Sequence, residues 1–164
     1  MKKINYVIFS LILLIFINGC AGYKPIFGST DLQFKIANYS IEGNKILGKK
    51  IYSKLYSLSK SNKNSQNVRS IDLFINASKD KKATVKDSGG KILEYKITLN
   101  TEVNVTDSIT NKKILNQTFV SSIAYKVQDE YSSTIKLENK STENLINKIY
   151  QELLIKLSQN ILTR

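Results

Sequence analysis

Two sets of side chains in this chain could do chemistry. Cys20 is the only cysteine, a single nucleophilic thiol at the end of an apolar run. Lys79, Lys81, Lys82 and Lys86 crowd around Asp80, and clustered ammonium groups act as point charges for phosphate. Most other chemistry is excluded by composition. There is no histidine, so imidazole acid–base catalysis and His-containing metal sites are ruled out. One thiol cannot form an internal disulfide, and once it is consumed by modification neither thiolate catalysis nor Cys-ligated zinc remains. No G-x-S-x-G elbow or P-loop is present. The thirteen acidic residues are scattered among lysines and mark no paired-carboxylate site. The chain reads as a binding protein, not an enzyme, with no cofactor and no metal.

The surroundings of Cys20 say what the thiol is for. Lys2 and Lys3 precede an apolar run from Tyr6 to Ile17, which stops at Ile17-Asn18-Gly19-Cys20. A charged start, a short apolar core and a small residue at a cut point are the marks of a secretory signal peptide. At ~1.5 Å per residue the run spans roughly 18 Å, well short of the ~30 Å a transmembrane helix must cross. With a cysteine directly after the small residue, the arrangement resembles the lipobox of bacterial lipoproteins. That resemblance implies a lipid anchor on Cys20, with cleavage just before it. Residues 1–19 are then a signal peptide and 20–31 a tether carrying Gly22, Pro25, Gly28 and Ser29. Residues 32–164 are expected to form a single α/β domain.

The chain carries 25 basic and 13 acidic residues, a net +12. Without Lys2 and Lys3 the balance is 23 to 13, which leaves +10. Such an excess favours an anionic partner, with plain solvation of the lysines as the alternative. Export and the lack of any recognisable motif argue against nucleic acid. An anionic lipid, glycolipid or membrane surface remains.

Elements that position these residues follow from periodicity. Leu32 to Ile41 is a strand candidate whose alternation breaks between Ile36 and Tyr39. Leu47, Ile51, Leu55 and Leu58 recur at helical spacing, which predicts a helix over Asn44 to Lys60 with Asn44 as its cap and a polar loop, Ser59 to Asn67, behind it. Ile71 to Ala77, then Leu93 to Val105, then Leu115 to Val127 alternate as half-buried strands. Between the first two, Lys79 to Lys91 with Ser88-Gly89-Gly90 reads as a hairpin with a basic tip or basic strand ends. Asp107 to Lys113 is the next turn. Leu145, Ile149, Leu153, Leu157 and Ile161 form one row of a last helix, beside Ile146, Tyr150 and Leu154, with Ser141 or Thr142 as its cap. The expected architecture is α+β, a two-layer sandwich of two helices on one face of a four-stranded sheet, in the order β-α-β-β-β-α.

Cys20-Ala21-Gly22-Tyr23-Lys24-Pro25-Ile26-Phe27-Gly28, together with the lipobox, chain length and element order, resembles the start of the LPS-assembly lipoprotein family (LptE). The resemblance implies an outer-membrane lipoprotein on the periplasmic face, seated inside the β-barrel LPS translocon that it helps assemble, and binding LPS through basic side chains. The polar strand positions Glu94, Lys96, Thr98, Asn100, Glu102, Asn104 and Thr106 are compatible with a wet barrel lumen and equally with plain water. Lys79, Lys81, Lys82 and Lys86 are the candidate LPS ligands, expected to be dispensable for folding. Two other readings stay open at this point: an auxiliary lipoprotein of a periplasmic lipid-transport ATPase complex, and a periplasmic hydrolase.

Overall fold

Odd-numbered residues of three successive strands carry the alternation that builds the core. The computed structural model describes residues 32–61 and 68–162, so the Cys20 anchor, the signal peptide, the tether and most of the Ser59 to Asn67 loop lie outside the described residues. The elements run β1 (Phe34–Gly43), α1 (Lys45–Ser61), β2 (Arg69–Lys86), β3 (Ile92–Asp107), β4 (Lys113–Lys126) and α2 (Tyr131–Leu162). The sheet order is β1-β2-β3-β4, with β1 parallel to β2 and the other pairs antiparallel. Both helices lie on one face, α1 over β1 and β2 and α2 over β4 and β3, and they touch one another. This is the α+β sandwich that the periodicity predicts.

Local details explain why each segment takes its place. In β1 the register shifts between Ile36 and Asn38. The broken alternation is therefore a β-bulge at Ala37, which returns Tyr39 and Ile41 to the helix-facing phase opposite Leu73 and Ile75. Asn44 caps α1 as expected, its Oδ1 accepting from the Leu47 N–H at 3.2 Å. Behind it Leu47, Ile51 and Leu55 are buried against Ile71, Leu73 and Ile75.

Two boundaries differ from expectation. β2 does not stop near Ala77 but runs on to Lys86, and the reversal is confined to Asp87–Lys91. There the Asp87 Oδ1 accepts from the N–H groups of Gly89 and Lys91, each at 2.9 Å. The lysines from 79 to 86 are consequently strand residues, not a flexible tip. The second difference concerns α2, which starts at Tyr131, ten residues ahead of Ser141. Ser141 and Thr142 are buried inside it, and the Thr142 hydroxyl donates back to the Glu138 carbonyl at 2.9 Å. Thr134, Glu138, Ser141 and Thr142 continue the inward row of Leu145, Ile146, Ile149, Leu153 and Leu157 with polar side chains. A helix of 32 residues spans ~48 Å at 1.5 Å per residue, enough to follow the long strands beneath it.

Candidate functional site at the free end of the sheet

β1 ends at Gly43, opposite Ala77, while β2 continues nine residues further to Lys86. At ~3.3 Å per residue the β2–β4 portion therefore projects roughly 30 Å beyond β1 and α1. Only the first half of α2 covers this extension, and here the buried seam turns polar.

On the helix-facing side Lys79 and Lys81 follow Ile71, Leu73, Ile75 and Ala77 in the same phase, paired with Leu99 and Ile97 of β3. Both reach one carboxylate. Lys79 donates to Glu138 Oε1 at 2.7 Å, Lys81 to Oε2 at 2.6 Å, and the Tyr125 hydroxyl also donates to Oε2, at 2.9 Å. The Lys81 ammonium lies 4.2 Å from the centre of the Tyr95 ring and 5.8 Å from that of Tyr125. Burial pushes the Glu138 carboxyl up, but Lys79, Lys81 and Tyr125 pull it further the other way, and it rests at about 2. The hydrogen bond to Glu138 raises the Lys81 ammonium above its usual range, against the opposing effect of burial. Burial also raises the Tyr125 phenol. This is a salt-linked polar core: Lys79 and Lys81 are held by the protein itself and help fasten α2 to the sheet.

The other two candidate lysines are elsewhere. Lys82 points to the opposite face, 77% exposed, with Asp80 Oδ2 at 3.1 Å. Its partner across the β2–β3 ladder is Lys96, which is also exposed. Like charges directly opposite on a sheet cost roughly 0.2–1 kcal/mol, and an anion bridging them removes the cost. Lys86 lies at the last exposed position of β2, beyond a register irregularity at Ala83 to Lys86. The structure thus divides the four lysines into a structural pair on the inner face and a solvent-facing group, Lys82 and Lys86, to which Lys96 belongs.

Between the free end of the strands and the first turns of α2 lies an open cleft of about 460 Å³. Leu93, Tyr95, Tyr131 and Ile135 give it apolar walls, with Lys81, Lys91 and Asp129 as the charged residues of its lining. Lys81 is already committed to Glu138, so Lys91 is the lining ammonium left for a ligand, and apolar walls beside it suit an amphiphile with an anionic group. Among the described residues no cluster of Cys, Asp or Glu could hold a metal ion, and no helix is long and apolar enough to cross a membrane.

Sequence reasoning missed Glu138, the aromatic pair beneath Lys81, and the contribution of Tyr131 and Ile135. Glu138 lies 57 and 59 residues from the lysines it binds, a separation that no local pattern marks. A signal did exist for the split: 79 and 81 share the parity of the buried row 71 to 77, and 82 does not.

Comparison with protein-family models and with curated proteins gives no match. Solved structures do match. The chain is similar to a minor lipoprotein from Acinetobacter baumannii (15% identity, TM-score 0.55, covering 79% of this chain and 94% of that one). It is also similar to uncharacterized lipoprotein B from Nitrosomonas europaea (13% identity, TM-score 0.59, 87% and 92% covered). Identities this low establish a shared fold.

Proposed function

We propose that this chain is a bacterial envelope lipoprotein, anchored through Cys20, that partners the β-barrel LPS translocon of the outer membrane and contacts LPS at the free end of its sheet. The observation that carries the reading is that free end, where an amphipathic cleft lies on one face and two exposed lysines, Lys82 and Lys96, stand opposite each other on the other, with only the exposed Asp80 carboxylate beside Lys82. A phosphorylated glycolipid with acyl chains has both the charge and the apolar bulk to use them. The shared fold with two proteins that are themselves called lipoproteins supports the anchored part of the reading. The outer face of the sheet supports the barrel part. No second layer covers it among the described residues, and it presents Asp72, Asn76, Glu102, Asn104, Thr106 and Thr118 to the outside, polar groups able to bond to a wet wall.

The lysine split gives a discriminating experiment. Lys82→Gln with Lys96→Gln is expected to weaken LPS binding by about tenfold, near 1.4 kcal/mol, while leaving the melting temperature nearly unchanged, because the repulsion removed offsets the loss of the exposed Lys82–Asp80 ion pair. Unchanged affinity in an LPS-binding titration would overturn the assignment of this pair.

A further inference from the structure

The outward face of α1 differs in charge from that of α2. Lys45–Ser61 holds five lysines and no acidic residue, whereas α2 mixes Lys136, Lys140, Lys148 and Lys156 with Glu138, Glu143 and Glu152. Lys50 pairs with Glu143 of α2, and no other α1 lysine has an ion pair among the described residues. Helical spacing sets Lys45, Lys49, Tyr56 and Lys60 on the side away from Leu47, Ile51 and Leu55, together with Ile46, which is 71% exposed.

Beside this face runs an aromatic ladder. Tyr39 of β1 stacks on Tyr52 at 4.1 Å between ring centres, Tyr52 on Tyr56 at 5.6 Å, and the Lys60 ammonium lies 4.6 Å above Tyr56. Tyr39 and Tyr56 remain 55% and 38% exposed although stacked. The core needs neither exposed ring. Tyrosine rings with a wet hydroxyl, lysines on long apolar stems and one exposed isoleucine together match the boundary between phospholipid headgroups and acyl chains.

We propose that this face of α1 docks on an anionic phospholipid surface, with the lysines on headgroup phosphates and Tyr39, Tyr56 and Ile46 at headgroup depth. An acidic protein surface would share the charge complementarity, but lysine is depleted in protein interfaces whereas it is an ordinary component of membrane-facing helices. The proposal takes from the preceding reading only the anchor, which keeps the domain near a leaflet: Cys20 precedes Leu32 by twelve positions, a reach of roughly 40 Å when extended. It concerns the anchored domain while it is not seated in the barrel, and its test contains no barrel.

The protein contains no tryptophan, so Tyr56→Trp introduces a single reporter. The full mature lipoprotein carrying it is reconstituted on brominated phosphatidylcholine vesicles with and without phosphatidylglycerol. Docking predicts a blue-shifted emission quenched by the brominated chains only when phosphatidylglycerol is present, and reversed by high salt. Lys45→Gln, Lys49→Gln and Lys60→Gln together are expected to lower the docked-to-undocked ratio by roughly fivefold per lysine, about 100-fold in all. Tyr39→Trp serves as a second reporter if Tyr56→Trp perturbs the helix. Equal, unquenched emission on both vesicles from both reporters overturns the proposal, and is the result expected if the occupant is an acidic protein. Vesicle flotation scores the anchor separately: a protein that stays in the soluble fraction refutes the Cys20 reading, whereas one that floats with an unquenched reporter refutes only the docking.

Discussion

Glu138→Gln is expected to destabilise the domain by about 2–3 kcal/mol at neutral pH, or roughly 6–10 °C in melting temperature. The carboxylate receives three donors at 2.6 to 2.9 Å and is only 14% exposed, so its loss strands two ammonium groups that have little water to replace it. The linkage has a definite sign. A carboxyl held at about 2 in the fold, against an ordinary 4.5, contributes stability that is complete above pH ~4.5 and is lost as pH falls through ~2. A shift of that size corresponds to about 3 kcal/mol, reduced here because Lys79 and Lys81 are themselves 23% and 33% exposed. The gap between wild type and Glu138→Gln is therefore expected to be full at pH 7, to fall to roughly half or a little less at pH 3, and to close only below pH ~2. Arg69 and Asp107 form the other ion pair of this kind, at 2.7 Å across the base of β2 and β3, and Arg69 holds the Asp107 carboxyl far below its usual range. That pair is present in both proteins and cancels from the difference. Urea unfolding at the two pH values measures it, and a gap below about 1 kcal/mol at pH 7 would show that the triad is no more than a surface contact.

Gly43→Ala is expected to be as damaging by a different mechanism. Gly43 ends β1 with φ +66°, and a Cβ there would stand 2.3 Å from the Ala77 carbonyl oxygen and 2.7 Å from Asn76 Oδ1. The same Ala77 oxygen accepts from the Asn44 N–H at 2.6 Å, so it cannot retreat without opening the junction that starts α1. The left-handed backbone costs ~1–2 kcal/mol for a residue with a Cβ, and a displaced Asn44 cap adds ~0.5–2 kcal/mol. With the steric clash the total is expected near 3–5 kcal/mol. Gly90 supplies the control, since its φ is +86° but nothing lies within 4 Å of the added atom. Gly90→Ala should cost only ~1–2 kcal/mol. If denaturant unfolding finds the two variants equal, the close approach at Ala77 is not what fixes this turn.

Much of this architecture is legible from the residues alone, and the reason is local. Leu47, Ile51 and Leu55 lie at a helical period, Asn44 stands where a cap must stand, and Ile71 to Ala77 keep strict parity, so neighbouring residues alone determine element type. Even the flaw in β1 between Ile36 and Tyr39 corresponds to a real bulge. What escapes is encoded at a distance. The start of α2 is hidden because Thr134, Glu138, Ser141 and Thr142 in its first twelve residues occupy inward positions, and a polar residue is buried only when its partner is already in place. Glu138 finds its partners on a strand almost sixty residues away. For the same reason four lysines close in sequence read as one cluster, although strand parity sends Lys79 and Lys81 to the helix and Lys82 to solvent.

The central claim, an anchored partner of the LPS translocon, is tested most directly by crosslinking the full-length protein in intact cells and identifying what is recovered from detergent-solubilised membranes. A large outer-membrane β-barrel is expected as the major crosslinked species, recovered with the wild-type chain and lost when Cys20→Ala removes the anchor. Recovery of an inner-membrane ATPase complex instead, or of no barrel at all, would contradict it.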